Sequence, residues 1–361
     1  MPHRARNLFD QIAERDNFRL AFLKAAKGKR NRHDVRVFAS DLETNIQRML
    51  AGLLGGTYPL GRFEQFVIRD PKERIITAPK FEERVLHHAI LNVCEPVFDS
   101  RLISDTFACR VGKGRNKAVE RARFFARRNS YFLKLDYRKY FDSIPHDRLI
   151  AHLERMIKDR RLLNLFARII GAFRGTLGVG LPIGSLTSQH FANSYLGQID
   201  RLVKEVLRMR GYVRYMDDLA IWGENPGLLK TALHSINEFS QERLRLQAKD
   251  FPFINRTSSG MDFLGCRIWP THVTLNRRSR LRFSRRMADL ENEFHHGLID
   301  DIERQLERLV WRPLPVRQER SLGAFVRLCY QIWWLTMIRL ESGEPWRELE
   351  QQSAQLPFGE S

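Results

Sequence analysis

Residues 211–223 read GYVRYMDDLAIWG, and the two adjacent acids in the middle of this stretch constrain the chain more than any other feature. Tyr212, Val213, Tyr215 and Met216 precede Asp217 and Asp218; Leu219, Ala220, Ile221 and Trp222 follow them. Aromatic and β-branched residues favour strands, so the acids are predicted at the turn of a β-hairpin with buried arms. Two neighbouring carboxylates repel each other, and desolvation disfavours their charged forms further. An isolated Asp-Asp is commonly nothing more than a turn, because Asp accepts turn backbone readily.

A second acid changes that reading. In LKLDYRKYFDSIPHDRL (133–149), Asp136 ends a short apolar strand predicted over Tyr131–Leu135, and two aromatics follow at positions 140 and 141. If this strand lies beside the hairpin, Asp136 and Asp217 converge at one end of the sheet. Hard divalent ions such as Mg²⁺ take carboxylate oxygens and keep positions open for phosphate oxygens. A pair of such ions stabilises both the attacking and the leaving oxygen of an in-line phosphoryl displacement. The adjacent acids then form a clamp for two Mg²⁺ ions, with Mn²⁺ as a substitute.

The charge of the chain names the partner class. Its 61 Lys and Arg against 42 Asp and Glu leave a net charge of +19. The excess runs through KAAKGKRNRH (24–33), RVGKGRNKAVERARFFARR (110–128) and NRRSRLRFSRR (276–286). Such a surface attracts a polyanion and releases counterions on binding it; the plainer alternative is a generally solvated basic surface. No run of 18 apolar residues occurs, and the first residues lack an apolar signal core, so membrane spanning and secretion are not expected and a cytoplasmic location is. Cys94, Cys109, Cys266 and Cys329 are scattered with no C-x-x-C pair, which argues against a zinc site or disulfide framework. His-His at 87–88 and 295–296 reads as structural or surface, since no acidic partner spacing suggests a metal site.

The pattern along the chain predicts an α+β fold with an antiparallel sheet packed on helices. Residues 5–54 read as two helices around KGKRNRH. Strand-like residues 62–70 and extended residues 71–80 follow, then a helix over 81–99, the strand at 131–136 and a helix over 146–157. Helix is predicted again from about Leu186 to Arg208, then the hairpin, a helix over 227–243, a second hairpin over 260–270 and helix from about Leu281 onward.

YMDD at 215–218 resembles the signature of reverse transcriptases, and LKLDYRKYFDSI (133–144) resembles their first catalytic block. ERIITAPKFEERV (73–85), FACRVGKGRNKAV (107–119), GLPIGSLTSQHFAN (180–193), LRLQAKD (244–250) and FLG (263–265) resemble further blocks of that family, in the family's order. The resemblance implies a right-hand polymerase fold: an N-terminal helical extension (1–60), fingers (61–130), a palm (131–275, with a finger-like helical insertion at about 146–180) and a helical thumb (276–361). It implies an RNA-directed DNA polymerase that takes dNTPs and holds a template RNA and its RNA/cDNA duplex. Asp136 and Asp217 would ligate the metals, with Asp218 and the Tyr137 carbonyl assisting. Arg74, Arg110, Phe141, Ile183, Gly184, Gln189 and Lys249 would surround the incoming nucleotide, with Phe141 as a steric gate against the ribose 2′-hydroxyl. Phe263, Leu264 and Gly265 would form the primer grip. The plainer readings are solvated charge for Arg74 and Arg110 and core packing for Phe141 and Ile183.

Many reverse transcriptases carry Gln before the Gly of the middle block and Ser-Pro at its end. Ile183-Gly184 and Ser188-Gln189 depart from that and resemble the reverse transcriptases of diversity-generating retroelements, which copy a template RNA with frequent errors opposite adenine. That resemblance also implies a small basic accessory helical protein as a partner, bridged by RNA or docked on an acidic patch such as LIDDIERQLE (298–307). A retron or phage-defence reverse transcriptase, or an RNA-binding scaffold with an inactive polymerase fold, are the alternatives. Residues 277–361 show neither a Cys/His-rich nuclease segment nor an RNase H-like acidic cluster. Their aromatics, Trp311, Phe325, Tyr330, Trp333 and Trp334, suit a thumb on a duplex, with the Trp333–Trp334 pair read as core.

Overall fold

The computed structural model describes residues 4–69, 73–173, 177–250 and 252–295. The chain divides into two compact units, Met1–Met261 and Asp262–Ser361.

The first unit opens with α1 (Leu8–Ile12), α2 (Arg15–Ala26), α3 (His33–Ser40) and α4 (Leu42–Leu54). Each of the two predicted helices is thus broken once, and a side chain holds each break. The Asn17 amide donates to the Ile12 carbonyl at 3.1 Å and to Ala89 at 3.0 Å; the Asn45 amide donates to Phe38 at 3.0 Å. Asn is suited to this work because its side chain competes for backbone partners. β1 (Phe63–Arg69) and β2 (Glu73–Pro79) form a separate antiparallel hairpin, in register from Phe63 opposite Pro79 to Arg69 opposite Glu73. α5 (Phe81–Asp99) runs through the core, with Val85, Leu86, Ala89, Ile90 and Cys94 buried and α2 packed against it.

α6 (Arg115–Ala126) precedes β3 (Tyr131–Leu135), and α7 (Tyr140–Ser143), α8 (His146–Glu154) and α9 (Arg160–Gly171) follow it. The predicted helix over Leu186–Arg208 is α10 (Leu186–Tyr195), α11 (Gly197–Arg201) and a π-helical turn over Leu202–Val206. β4 (Gly211–Tyr215) and β5 (Asp218–Gly223) form the predicted hairpin; α12 (Pro226–Leu244) and β6 (Phe253–Arg256) complete the unit. The fold is α+β, as predicted. Its main sheet has the order β4-β5-β3-β6, antiparallel throughout. α6 and α12 pack on it, so β4 up to Arg214 and β5 after Asp218 are buried without alternation. Strands covered by helices read as continuous apolar runs, which is why the arms around the two acids alternate poorly.

The second unit contains a sheet of β7 (Met261–Phe263), β8 (Cys266–Ile268) and β9 (Val273–Leu275), followed by α13 (Arg277–His295). The β7–β8 connection is Leu264-Gly265, both with positive φ, 50° and 79°; a two-residue hairpin turn of the favoured twist needs this, and Gly supplies it at no steric cost. Residues 298–307 and the aromatics from Trp311 to Trp334 lie outside the described residues. No helix among the described residues is long and apolar enough to cross a membrane.

Candidate active site

Pairing geometry assembles the three acids. Tyr215 opposes Asp218 across the β4–β5 hairpin, leaving Met216 and Asp217 as its turn. β3 lies on the other side of β5 with Leu135 opposite Leu219, so the next residue, Asp136, falls beside Asp218 at the same sheet end. Burial pushes the Asp217 carboxyl up to about 6, helped by repulsion from Asp136. Burial also raises Asp218, against the pull of Lys134, whose ammonium stands 3.5 Å from its Oδ1. That side chain keeps 32% of its surface exposed, so solvent moderates the effect. The Lys249 ammonium pairs with Asp136 Oδ2, and the Lys249 backbone N–H donates to the Asp136 carbonyl at 2.9 Å. Two lysines therefore supply part of the countercharge these acids require.

The donors suit a hard divalent cation: carboxylate oxygens that repel one another and are partly withdrawn from water. Among the described residues no group of three or more His, Cys, Asp or Glu is arranged to hold a metal ion by itself. Mg²⁺ does not need one, since it binds through one or two carboxylates and completes its shell with water and substrate phosphates.

The turn itself is strained and braced. Met216 has φ +56°, a left-handed conformation that costs a non-glycine residue about 1 kcal/mol. Arg214 Nη1 donates to the Met216 carbonyl at 3.0 Å and to Asn193 Oδ1 at 2.8 Å. Its Nε and Nη2 clamp Asp200 at 2.6 and 2.7 Å, with both side chains fully buried. Tyr212 and Thr106 hydroxyls also donate to Asp200, each at 2.7 Å, and Asn193 Nδ2 donates to the Ala108 carbonyl at 2.7 Å. Burial opposes the Arg214 charge, but the Asp200 carboxylate holds it firmly protonated. Sequence reasoning missed this network. Its one signal was an Arg inside an otherwise apolar strand; nothing in the sequence pointed to Asp200 as the partner.

The structure brings some of the predicted nucleotide-site residues together and uses others differently. Tyr137 is buried, its hydroxyl 2.8 Å from Ser240 Oγ. Phe141 is half-buried against Tyr140, and its carbonyl accepts from Leu181 N at 2.8 Å, tying it to the middle block. The Ile183 carbonyl accepts from Thr77 N at 2.7 Å, joining the same block to β2. Gly184 is required there: φ is +120° and a Cβ would stand 2.7 Å from Ile76 Cγ2. Gln189 lies in α10 with its Oε1 3.8 Å from Cys109 Sγ. Arg74 is exposed on β2. Arg110 is instead enclosed: its guanidinium donates to Asp99 at 2.5 Å and to the carbonyls of Ile103 and Thr106 at 2.5 and 2.9 Å, closing the 99–110 loop. Phe263, Leu264 and Gly265 belong to the β7–β8 hairpin of the second unit.

An acidic hairpin turn beside a strand-end Asp, on an antiparallel sheet, characterises this as a carboxylate-centred site. Residues 69–268, more than half of the chain, match the family described as reverse transcriptase (RNA-dependent DNA polymerase), and the chain belongs to that family. It is 28% identical over 158 residues to an uncharacterized 91 kDa protein in the cob intron of Schizosaccharomyces pombe, covering 42% of this chain and 18% of that one. It is 24% identical over 177 residues to protein YkfC of Escherichia coli, 45% of this chain and 46% of the other. It is 23% identical over 174 residues to the group II intron-encoded protein LtrA of Lactococcus lactis, 45% and 29% respectively. The matches span less than half the length of each of these relatives. Among solved structures, telomerase from Candida tropicalis in complex with a TWJ fragment of telomeric RNA is similar at 12% identity and a TM-score of 0.48, covering 81% of this chain and 56% of that chain.

Proposed function

We propose that this chain is an RNA-directed DNA polymerase that extends a primer with dNTPs on a template RNA. The observation that carries this reading is the register that sets Asp136 beside the Asp217-Asp218 turn. Asp136 and Asp217, with Asp218 and the Tyr137 carbonyl beside them, would hold Mg²⁺, which supplies Lewis acidity at the attacking and leaving oxygens. Phe141 walls the nucleotide sugar, while Ile183 and Gly184 sit beneath the base pair. Lys249, already paired with Asp136, carries a proton at Nζ that a departing pyrophosphate oxygen can take. In this reading residues 61–130, 131–275 and 276–361 are the fingers, palm and thumb of a right-hand polymerase. Replacing Asp217 and Asp218 together with Ala is expected to abolish Mg²⁺-dependent primer extension and to leave RNA binding in place. Extension that survives the double change overturns the site assignment.

The finer reading is an error-prone enzyme of a diversity-generating retroelement, with a small basic accessory protein as partner. Ile183 and the Ser188-Gln189 pair support it. A Gln amide at 183 could hydrogen-bond and hold the geometry of the templating pair, whereas Ile can only pack. Discrimination between nucleotides rests on small differences in transition-state binding, and losing a polar restraint loosens it. Ile183→Gln is expected to lower misincorporation opposite adenine, as read by sequencing cDNA. An unchanged error spectrum removes this reading and leaves an intron-encoded or retron-type enzyme, the alternative that the group II intron-encoded relative favours.

A further inference from the structure

We infer that a buried polar string, Glu83–His87–Ser185, seats the Ile183–Gly184 loop, so that base selection is set from the root of the β1–β2 hairpin as well as by Ile183 itself. The inference rests on the polymerase reading and on Ile183 lying beneath the nascent pair.

The string starts where the chain enters β1. Glu83 Oε2 accepts from the backbone N–H of Gly61 at 3.0 Å and of Arg62 at 3.2 Å, and the Arg62 carbonyl accepts from Lys80 N at 2.8 Å. One helical turn along α5, His87 places Nε2 at 3.7 Å from Glu83 Oε1, an electrostatic approach beyond hydrogen-bond reach that leaves this buried nitrogen without a hydrogen-bond partner. His87 Nδ1 stands 3.3 Å from Ser185 Oγ, and Ser185 Oγ stands 3.1 Å from Thr187 Oγ1. Glu83, His87, Ser185 and Thr187 are all buried. Beside them, β2 grips the same loop through Thr77 N–H to the Ile183 carbonyl and through the close fit of Gly184 on Ile76. The loop is thus held from α5 and from β2 at once, and the same α5 side chains hold the hairpin's base.

Burial lowers His87 to about 3, so it is neutral under working conditions. We assign the tautomer with hydrogen on Nε2, which faces that N–H toward Glu83 and leaves Nδ1 to accept from Ser185. Neighbouring core positions 85, 86, 89 and 90 are apolar. Polar groups in such a core are costly unless partnered. Glu83 is hydrogen-bonded to the Gly61 and Arg62 amides and His87 Nδ1 to Ser185, so the arrangement of these groups is fixed, while His87 Nε2 has only the nearby Glu83 carboxyl to face. His87 and Ser185 are positioning residues here, since neither faces substrate.

The test uses the full chain with single-nucleotide primer extension on a defined RNA template, comparing correct and incorrect insertion opposite adenine. Ser185→Ala, which removes one hydroxyl with little change of volume, is expected to change the incorrect-to-correct ratio by about threefold or more. The double variant Ser185→Ala/Ile183→Gln is expected to depart from the product of the single effects, because both act on one loop. His87→Leu, which keeps bulk and removes polarity, should move the ratio in the same direction. Lower thermal stability or overall rate with an unchanged ratio, or multiplicative single effects, overturns the inference. Amide exchange at Thr77 gives a readout independent of activity: it should speed up in Ser185→Ala, and no change there overturns the seating. Wild-type protein that extends no primer defeats the polymerase reading and the selectivity claim with it, while exchange at Thr77 still decides the seating.

Discussion

Phe141 meets Tyr140 edge to face at 5.7 Å between ring centroids, and the Tyr140 hydroxyl donates to the Ala192 carbonyl at 2.6 Å. Lys139, just before them, takes a left-handed conformation with φ +39°, which turns the chain sharply after Asp136 and sets Tyr140 against α10 with Phe141 edge-on to it. A side chain on so fixed a platform can exclude a substrate by volume, because yielding would mean breaking a buried hydrogen bond. Phe141→Ala is therefore expected to raise the use of ribonucleotides relative to deoxynucleotides by about 10- to 100-fold, the span of discrimination a pocket wall of this size supplies. Competition between CTP and dCTP in primer extension measures it, and an unchanged preference would show that the ring serves only the core.

At the scale of the element, the β4–β5 hairpin depends on Arg214, which binds the turn carbonyl of Met216 and the helix residues Asn193 and Asp200 together. Arg214→Met leaves Asp200 buried and without its countercharge, a loss of about 3–5 kcal/mol. Arg214→Met/Asp200→Leu removes both charges and should recover much of that stability, yet extension should stay slow because nothing then braces the left-handed Met216. Denaturant unfolding and primer extension on the same variants separate the two effects; full recovery of both would make the pair purely structural. The hairpin and its acids were legible because their signal is local: two strand-forming arms and an Asp-Asp turn. Asp136 was legible for the same reason. Arg214 and Asp200 were not, since their pairing joins β4 to α11, elements whose approach no local pattern announces. α6 was read only as a basic segment because Lys117, Arg121, Arg123, Arg127 and Arg128 mask the apolar stripe Ala118, Val119, Ala122, Phe125. Arg110 was read as a substrate contact because sequence shows a charge and not the Asp99 and two carbonyls waiting for it.

At the scale of the whole molecule, the buried neutral histidines among the described residues weaken the fold as pH falls. His87 lies at about 3, and His152 and His190 at about 4, each lowered chiefly by burial from an ordinary value of 6.5. A histidine depressed in the folded state contributes stability that is complete above 6.5 and lost as pH falls toward its folded value, because the unfolded chain takes the proton first. Between pH 8 and pH 5 each of the three loses about 2 kcal/mol by this linkage. Asp217 works in the opposite sense: raised to about 6, it binds its proton earlier in the folded state and returns about 1 kcal/mol over the same interval. Asp218, Glu83 and Glu120, also raised by burial, act in the same sense as Asp217, while His88, lowered by burial, joins the three histidines. Growing self-repulsion on a chain already at +19 tips the balance toward loss of stability in acid. The melting temperature is expected to fall by on the order of 10 °C from pH 8 to pH 5. His190 packs its ring 6.1 Å from that of Phe98, so Phe can take its place; His190→Phe deletes one of three comparable titrations and should recover about a third of the fall. Calorimetry of both proteins at the two pH values decides it: a wild-type midpoint that holds steady, or a variant that falls as far as the wild type, would show that these histidines do not govern acid stability.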